Sequence, residues 1–206
     1  MLGIPELPAD AFTLRQGALY CYFSPTVRDA IPLLARLTNS SKRSYFAIDC
    51  SEYELFSGLD AQTQDNFCKT FSSPRHPAFF WHSSAEEVKQ RTLNTFLSES
   101  QRLHPRNNTL LIFAINANYI AKDTPQQRSD HIAQWASWAR QKKLGVLFLF
   151  YGDYQSLRPA LIKDSVQIAG MLSLQTVSRD KLSIHLHYWY SKVDIIADRE
   201  YLLDTT

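Results

Sequence analysis

The sequence predicts a three-layer α/β domain, a mostly parallel sheet flanked by helices, with antiparallel strands added near the C-terminus. Three observations carry this. From Ala18 to Phe150, short apolar runs alternate with stretches whose apolar residues recur at helical spacing. Strands joined by helices of that length form right-handed crossovers and a parallel sheet covered on both faces. Beyond Ile168 the chain turns to consecutive strand-like runs, the mark of antiparallel additions at one sheet edge. Finally, 206 residues, 45% of them hydrophobic, give ample core for one domain over residues 1–206. Within it, 192–206 reads as a last strand or as the start of a linker to further domains.

Each element has its own signal. Ala18–Phe23 and Ser44–Ile48 are apolar and aromatic runs that suit buried strands. Between them Ile31, Leu34, Ala35 and Leu37 have helical spacing, and Pro32 fits only in a first turn, so the helix is expected to start near Arg28 or Asp29. A helix over Gln62–Phe71 precedes a third strand, Ala78–Trp81. Ser84 and Glu87 then form a capping box that opens a long helix to about Leu103, with Leu93, Phe96, Leu97 and Leu103 as its stripe. Asn107 and Asn108 turn the chain into the strand Thr109–Ile115. The next helix, about Gln126–Lys142, buries Ile132, Trp135, Ala136 and Ala139, and Gly145–Phe150 is the following strand. Ile168–Val177, Leu182–Tyr190 and Asp194–Leu203 are the late strands.

Charge and composition exclude several classes. With 22 Lys and Arg against 20 Asp and Glu, and no basic run, the chain lacks the field that nucleic-acid binding needs. Its first fifteen residues have no basic segment followed by an apolar one, so no secretory signal is expected. The longest strongly apolar run, Leu144–Tyr151, is far short of the ~20 residues that span a bilayer. The expectation is a soluble, cytoplasmic domain. Cys21, Cys50 and Cys68 are odd in number and lack metal spacing, and read as core thiols.

A parallel sheet places ligands at the carboxyl ends of its strands. After the first strand the chain reads Ser24, Pro25, Thr26, Val27, Arg28 and Asp29. A phosphate cradle needs glycines, converging N–H groups and a lysine; this loop has neither glycine nor lysine, and Pro25 removes a donor.

The opening Gly3–Pro8 (GIPELP), then Arg15-Gln16-Gly17 before the first strand, resembles the start of RecA/KaiC-type ATPase domains, and Arg128–Phe150 resembles their later helix and strand. The resemblance makes Ser24–Asp29 a vestigial P-loop and puts Asn116 at the vestigial Walker B position. Asp49 and Glu52 fall near the family's water-activating glutamate. A second resemblance covers nearly the whole chain. It rests on the opening glycine motif, Asp29-Ala30-Ile31, Leu110–Asn118 (LLIFAINAN), Trp135–Gly152 and His187–Ser191 (HYWYS). Together these resemble the N-terminal domain of the BcsE family, accessory proteins of bacterial cellulose secretion.

That resemblance implies a degenerate RecA-like domain followed by receiver-like and GGDEF-like domains, the last of which binds cyclic di-GMP through an RxGD motif. This chain has neither RxGD nor RxxD, so cyclic di-GMP is not expected on it. No catalytic residues, metal or cofactor are expected. The implied role is a non-catalytic scaffold or regulatory module, recruited from the cytoplasm to the inner membrane by BcsF, BcsR and BcsQ, with a homodimer left open. Two other readings stand beside it: an ATP- or GTP-binding switch with a non-standard loop, and a hydrolase of unrecognised geometry.

Smaller constellations are weaker. His185 and His187 share one strand face, as two metal ligands could, yet no Cys or carboxylate has matching sequence spacing, and surface histidines are the plainer reading. No GxSxG elbow supports a serine triad. Trp135 reads as core, with Trp138 flanking its stripe. Tyr188, Trp189 and Tyr190 are consecutive on a strand, so they cannot all enter one core; they are the interface candidates.

Overall fold

A computed structural model describes residues 13–80, 93–120, 122–164, 167–190 and 195–204. The capping box at Ser84 and Glu87, the motif Gly3–Pro8, Trp81, Ser191 and the start of the last strand at Asp194 lie outside the described residues.

The strands are β1 (Ala18–Ser24), β2 (Ser44–Ile48), β3 (Ala78–Phe80), β4 (Leu110–Asn116), β5 (Gly145–Tyr151), β6 (Ile168–Ser178), β7 (Lys181–Tyr190) and β8 (Ile195–Asp204). The helices are α1 (Val27–Asn39), α2 (Glu52–Ser57), α3 (Ala61–Phe71), α4 (Leu93–Arg102), α5 (Ala117–Ile120), α6 (Pro125–Lys142) and α7 (Leu157–Asp164). All eight strands form one sheet in the order β3-β2-β4-β5-β1-β6-β7-β8. Its pairings are parallel from β3 through β6 and antiparallel from β6 to β8.

Alternation along each central strand divides the core in two. On one face Tyr20, Tyr22, Ile112, Leu147 and Leu149 pack against α1, α2 and α3. On the other, Leu19, Cys21, Phe23, Phe113 and Phe148 pack against α4, α5, α6 and α7, with Trp135 at the centre. The stripe on α6 is as its spacing predicts: Ile132, Trp135, Ala136 and Ala139 are buried, and so is Trp138. Trp135 donates its indole N–H to the Leu93 carbonyl at 2.8 Å, which meets its one polar need.

Two expectations are corrected. β6 is not an antiparallel addition; it pairs with β1 in parallel. The cause is α7, a crossover helix with Pro159 in its first turn and only Leu157 and Leu161 identified as buried, too short to stand out by periodicity. Cys21 is a core thiol, but Cys50 and Cys68 are only half-buried. Of the two readings left open for 192–206, Ile195–Asp204 is the last strand, hydrogen-bonded to β7. α2 goes unpredicted, although Ser51 and Glu54 carry its signal: they form a reciprocal capping box.

Candidate functional site

The carboxyl edge of the parallel strands is where ligands of such sheets bind. Here Ser24 ends β1, Tyr151 ends β5 beside it, and Asn116 ends β4 beside Tyr151. One strand thus separates Ser24 from Asn116, about 10 Å at the usual strand spacing. The loop after β1 is tied to this row by the Gly152 N–H, which donates to the Pro25 carbonyl at 3.1 Å.

Thr26 caps α1: its Oγ1 accepts from the Asp29 N–H at 3.2 Å and donates to the Asp29 carboxylate at 2.8 Å. Thr176 on β6 donates to the other oxygen of the same carboxylate. A helix N-terminus is the positive end of its dipole and attracts anions. In this molecule Asp29, in the first turn, supplies that anion from the chain itself. Pro32 is the sixth residue of α1, in its second turn and not in the first turn expected for it, because the helix begins at Val27.

The other positions expected to be vestigial differ in their surroundings. Asn116 Oδ1 accepts from the Asn118 N–H at 3.0 Å, folding the side chain onto its own backbone at the start of α5. The left-handed Gly152 lies so close that a Cβ there would stand 3.4 Å from Asn116 Oδ1. Asp49 is buried; its N–H donates to the Ala114 carbonyl at 2.9 Å, and its own carbonyl accepts from the Tyr151 hydroxyl at 3.0 Å. Glu52 is exposed in the first turn of α2. The hydroxyls of Tyr22 and Ser24 are buried and find no hydrogen-bond partner among the described residues. Burial raises the Tyr22 pKa, so that phenol stays protonated.

Beside α1 lies a cleft of about 710 Å³, shared by α1, α3 and the β6–β7 turn. Arg28, Arg179 and Lys181 oppose Asp29, Asp60 and Asp180 along its walls, so its charge is mixed.

The late strands carry the remaining candidates. Trp189 is buried, stacked on Tyr20 with ring centres 4.7 Å apart. It is therefore a core residue and is corrected as an interface candidate. A β-bulge causes this: β6 pairs Met171 with Tyr188 but Leu172 with Leu186, leaving His187 as an extra residue. The bulge turns Trp189 to the α1 face, where Leu186 already points, while Tyr188 packs on the opposite core. Tyr188 is half-buried and Tyr190 is exposed, with Ile195 and Leu202 also exposed on the neighbouring β8.

His185 and His187 stand with ring centres 4.6 Å apart, and His187 Nε2 is 2.6 Å from Ser173 Oγ on β6. Burial, then the charges of His185 and Arg158, hold the His187 pKa down at about 4, against a smaller opposite pull from Asp198. Sequence spacing offered no carboxylate near this pair, but the fold does. β8 runs antiparallel to β7 with Glu200 directly opposite His185.

Residues 1–206 match the family model of the cellulose biosynthesis protein BcsE, N-terminal domain. No curated protein matches the sequence. Among solved structures, the chain resembles the flagellar accessory protein FlaH from Methanocaldococcus jannaschii (TM-score 0.62, 13% identity, covering 94% of this chain and 87% of that one). It also resembles a second solved protein, described as an ATPase domain (TM-score 0.60, 11% identity, covering 98% of this chain and 85% of that one). At such identities the likeness concerns the fold, which is RecA-like. The chain belongs to the BcsE N-terminal domain family, and hence to cellulose biosynthesis.

Proposed function

We propose that this BcsE-type domain serves cellulose biosynthesis as a catalytically silent RecA-like scaffold that acts by protein association. The observation that carries the reading is Asp29: its carboxylate, held by Thr26 and Thr176, occupies the helix end where a RecA-type domain would need to receive phosphate. No glycine or lysine in Ser24–Asp29 opposes that charge, and Asn116 offers an amide, already hydrogen-bonded, where a magnesium-holding carboxylate would be needed. These residues do not fit a magnesium nucleotide at this helix end, and no hydrolytic step is assigned to them.

Association falls to the outer face of β7 and β8, where Tyr190, Ile195 and Leu202 are exposed. Tyrosine and large aliphatic side chains are common anchors of protein interfaces. In this reading BcsF brings the domain to the inner membrane and BcsR and BcsQ join from the cytoplasm. No helix among the described residues is long and apolar enough to cross a membrane itself.

The cleft beside α1 favours a second reading, a nucleotide switch, because Arg28, Arg179 and Lys181 could meet phosphates there. Thermal melting with ATP and Mg²⁺ separates the two. The scaffold reading expects an unchanged melting temperature. A nucleotide at 100 times its dissociation constant would add about 2.7 kcal/mol of stability, and such a shift, abolished by Arg28→Ala, would establish the switch instead.

A further inference from the structure

We propose that the cleft between α1, α3 and the β6–β7 turn is a docking site for a short, extended, acidic peptide segment of a partner protein, held by the side chains of Arg28 and Lys181 and by the main-chain carbonyl of Arg28. This contact is separate from the outer face of β7 and β8.

The backbone of α1 supplies the first observation. Pro32 stands inside the helix and has no N–H, so the carbonyl of Arg28, four residues earlier, lacks the donor that an α-helix would give it. Arg28 and Pro32 both line the cleft, which puts this acceptor on its wall. A phosphate group that has lost its protons has no donor for such a carbonyl. A peptide backbone has one at every residue but proline.

The second observation is the state of the charged groups. Both oxygens of Asp29 already accept, one from Thr26 and one from Thr176. Asp60, the cap of α3, accepts from the Thr63 N–H at 2.9 Å through one oxygen and from the Thr63 hydroxyl at 2.7 Å through the other. By contrast, Arg28 and Lys181 are exposed and make no ion pair among the described residues. The cleft therefore offers a visitor cationic donors in need of carboxylates. Because its walls carry both signs, it suits acidic groups spaced along a chain better than the clustered charge of a polyphosphate.

The α3 wall adds polar groups of the right kind. Gln62 Nε2 donates to Asn66 Oδ1 at 3.2 Å, which leaves the Gln62 carbonyl oxygen and the Asn66 amino group to meet a peptide's own N–H and C=O. At about 710 Å³, the cleft has the size of a small-ligand pocket, ~300–1,000 Å³, and admits a short segment. Main-chain hydrogen bonds then give affinity and side-chain contacts give specificity.

Fluorescence anisotropy of a fluorescein-labelled peptide of alternating glutamate and serine, at about 0.15 M salt, tests this on the whole chain. The peptide should bind saturably, and its counterpart with lysine in place of glutamate should not. Arg28→Ala together with Lys181→Ala, two exposed positions, should weaken binding at least tenfold. Pro32→Ala gives the Arg28 carbonyl its helical donor back, so it should raise the melting temperature and yet weaken peptide binding about twofold to tenfold. The pair Tyr190→Ser and Ile195→Ser, on the other face, should bind as the unaltered chain does. Absence of saturable binding, equal binding of the lysine peptide, or a Pro32→Ala variant that binds undiminished would overturn the proposal. So would a loss of binding in the Tyr190→Ser and Ile195→Ser pair, which would place the peptide on the outer face. Displacement of the peptide by ATP and Mg²⁺ with a rise in melting temperature would overturn it in favour of a nucleotide.

Discussion

At the residue scale, close packing and burial govern two side chains of β7, Trp189 and His187. Trp189 lies over Gly170, where an added Cβ would come within 2.3 Å of the indole. Gly170→Ala must therefore displace a buried ring, and should cost about 1–3 kcal/mol in urea unfolding; an unchanged midpoint would mean the ring has room to move. Nothing in the local sequence of Tyr188, Trp189 and Tyr190 says which of them is buried. The answer depends on a glycine in the neighbouring strand and on the bulge at His187, and both are matters of register. Strand alternation requires only that the three divide between faces, as they do. His187 gives a pH dependence. Its folded pKa, about 4, lies below the ordinary histidine value of 6.5, so the unfolded chain takes up the proton first. Stability from this group is complete above about pH 6.5 and is lost as pH falls from there towards 4. With a chelator present, His187→Gln should flatten the fall in urea midpoint over that window; an equally steep fall would assign it to other groups.

At the element scale, what was legible follows from burial. β1, β2, β4 and β5 are continuous apolar runs because both faces of a parallel strand are covered, and their bounds lie within a residue or so of those expected. α6 announces itself by its stripe; Thr124, which forms a capping box with Gln127, carries a second signal that went unread. α7 does not, because a short crossover helix with few buried residues leaves little periodicity; missing it reversed the direction of β6. The lack of glycine and lysine in Ser24–Asp29 was legible in the sequence, and a phosphate loop has strict residue needs. The part played by Asp29 was not, because Thr176 comes from a strand 147 positions away. The end of α6 supplies a test of local geometry. Lys143 closes the helix in a left-handed conformation, φ 50°, which costs a non-glycine residue roughly 1 kcal/mol. Lys143→Gly should raise stability by a few tenths to about 1 kcal/mol in thermal melting. A loss would show that the lysine side chain contributes more than the strain removes.

At the scale of the whole molecule, the two sheet edges differ. β3 has three residues, while β8 has ten and carries Asp198, Arg199 and Glu200 at its middle, with Asp198 left-handed at φ 51°. Charge and a backbone twist are devices that keep an edge strand from pairing with another, so association is expected through the face of β7 and β8 and not by extension of the sheet. In the scaffold reading proposed above, that face receives the partners, and the RecA-like core carries its own anion on α1. The most direct test is to measure how the domain divides between soluble and membrane fractions in cells with and without BcsF, for the unaltered chain and for the pair Tyr190→Ser and Ile195→Ser, two exposed positions. The scaffold account predicts that BcsF moves the unaltered domain to the membrane fraction and that the paired substitution returns it to the soluble one. A domain that stays soluble with BcsF, or that sediments with membranes equally well without it, would contradict the account.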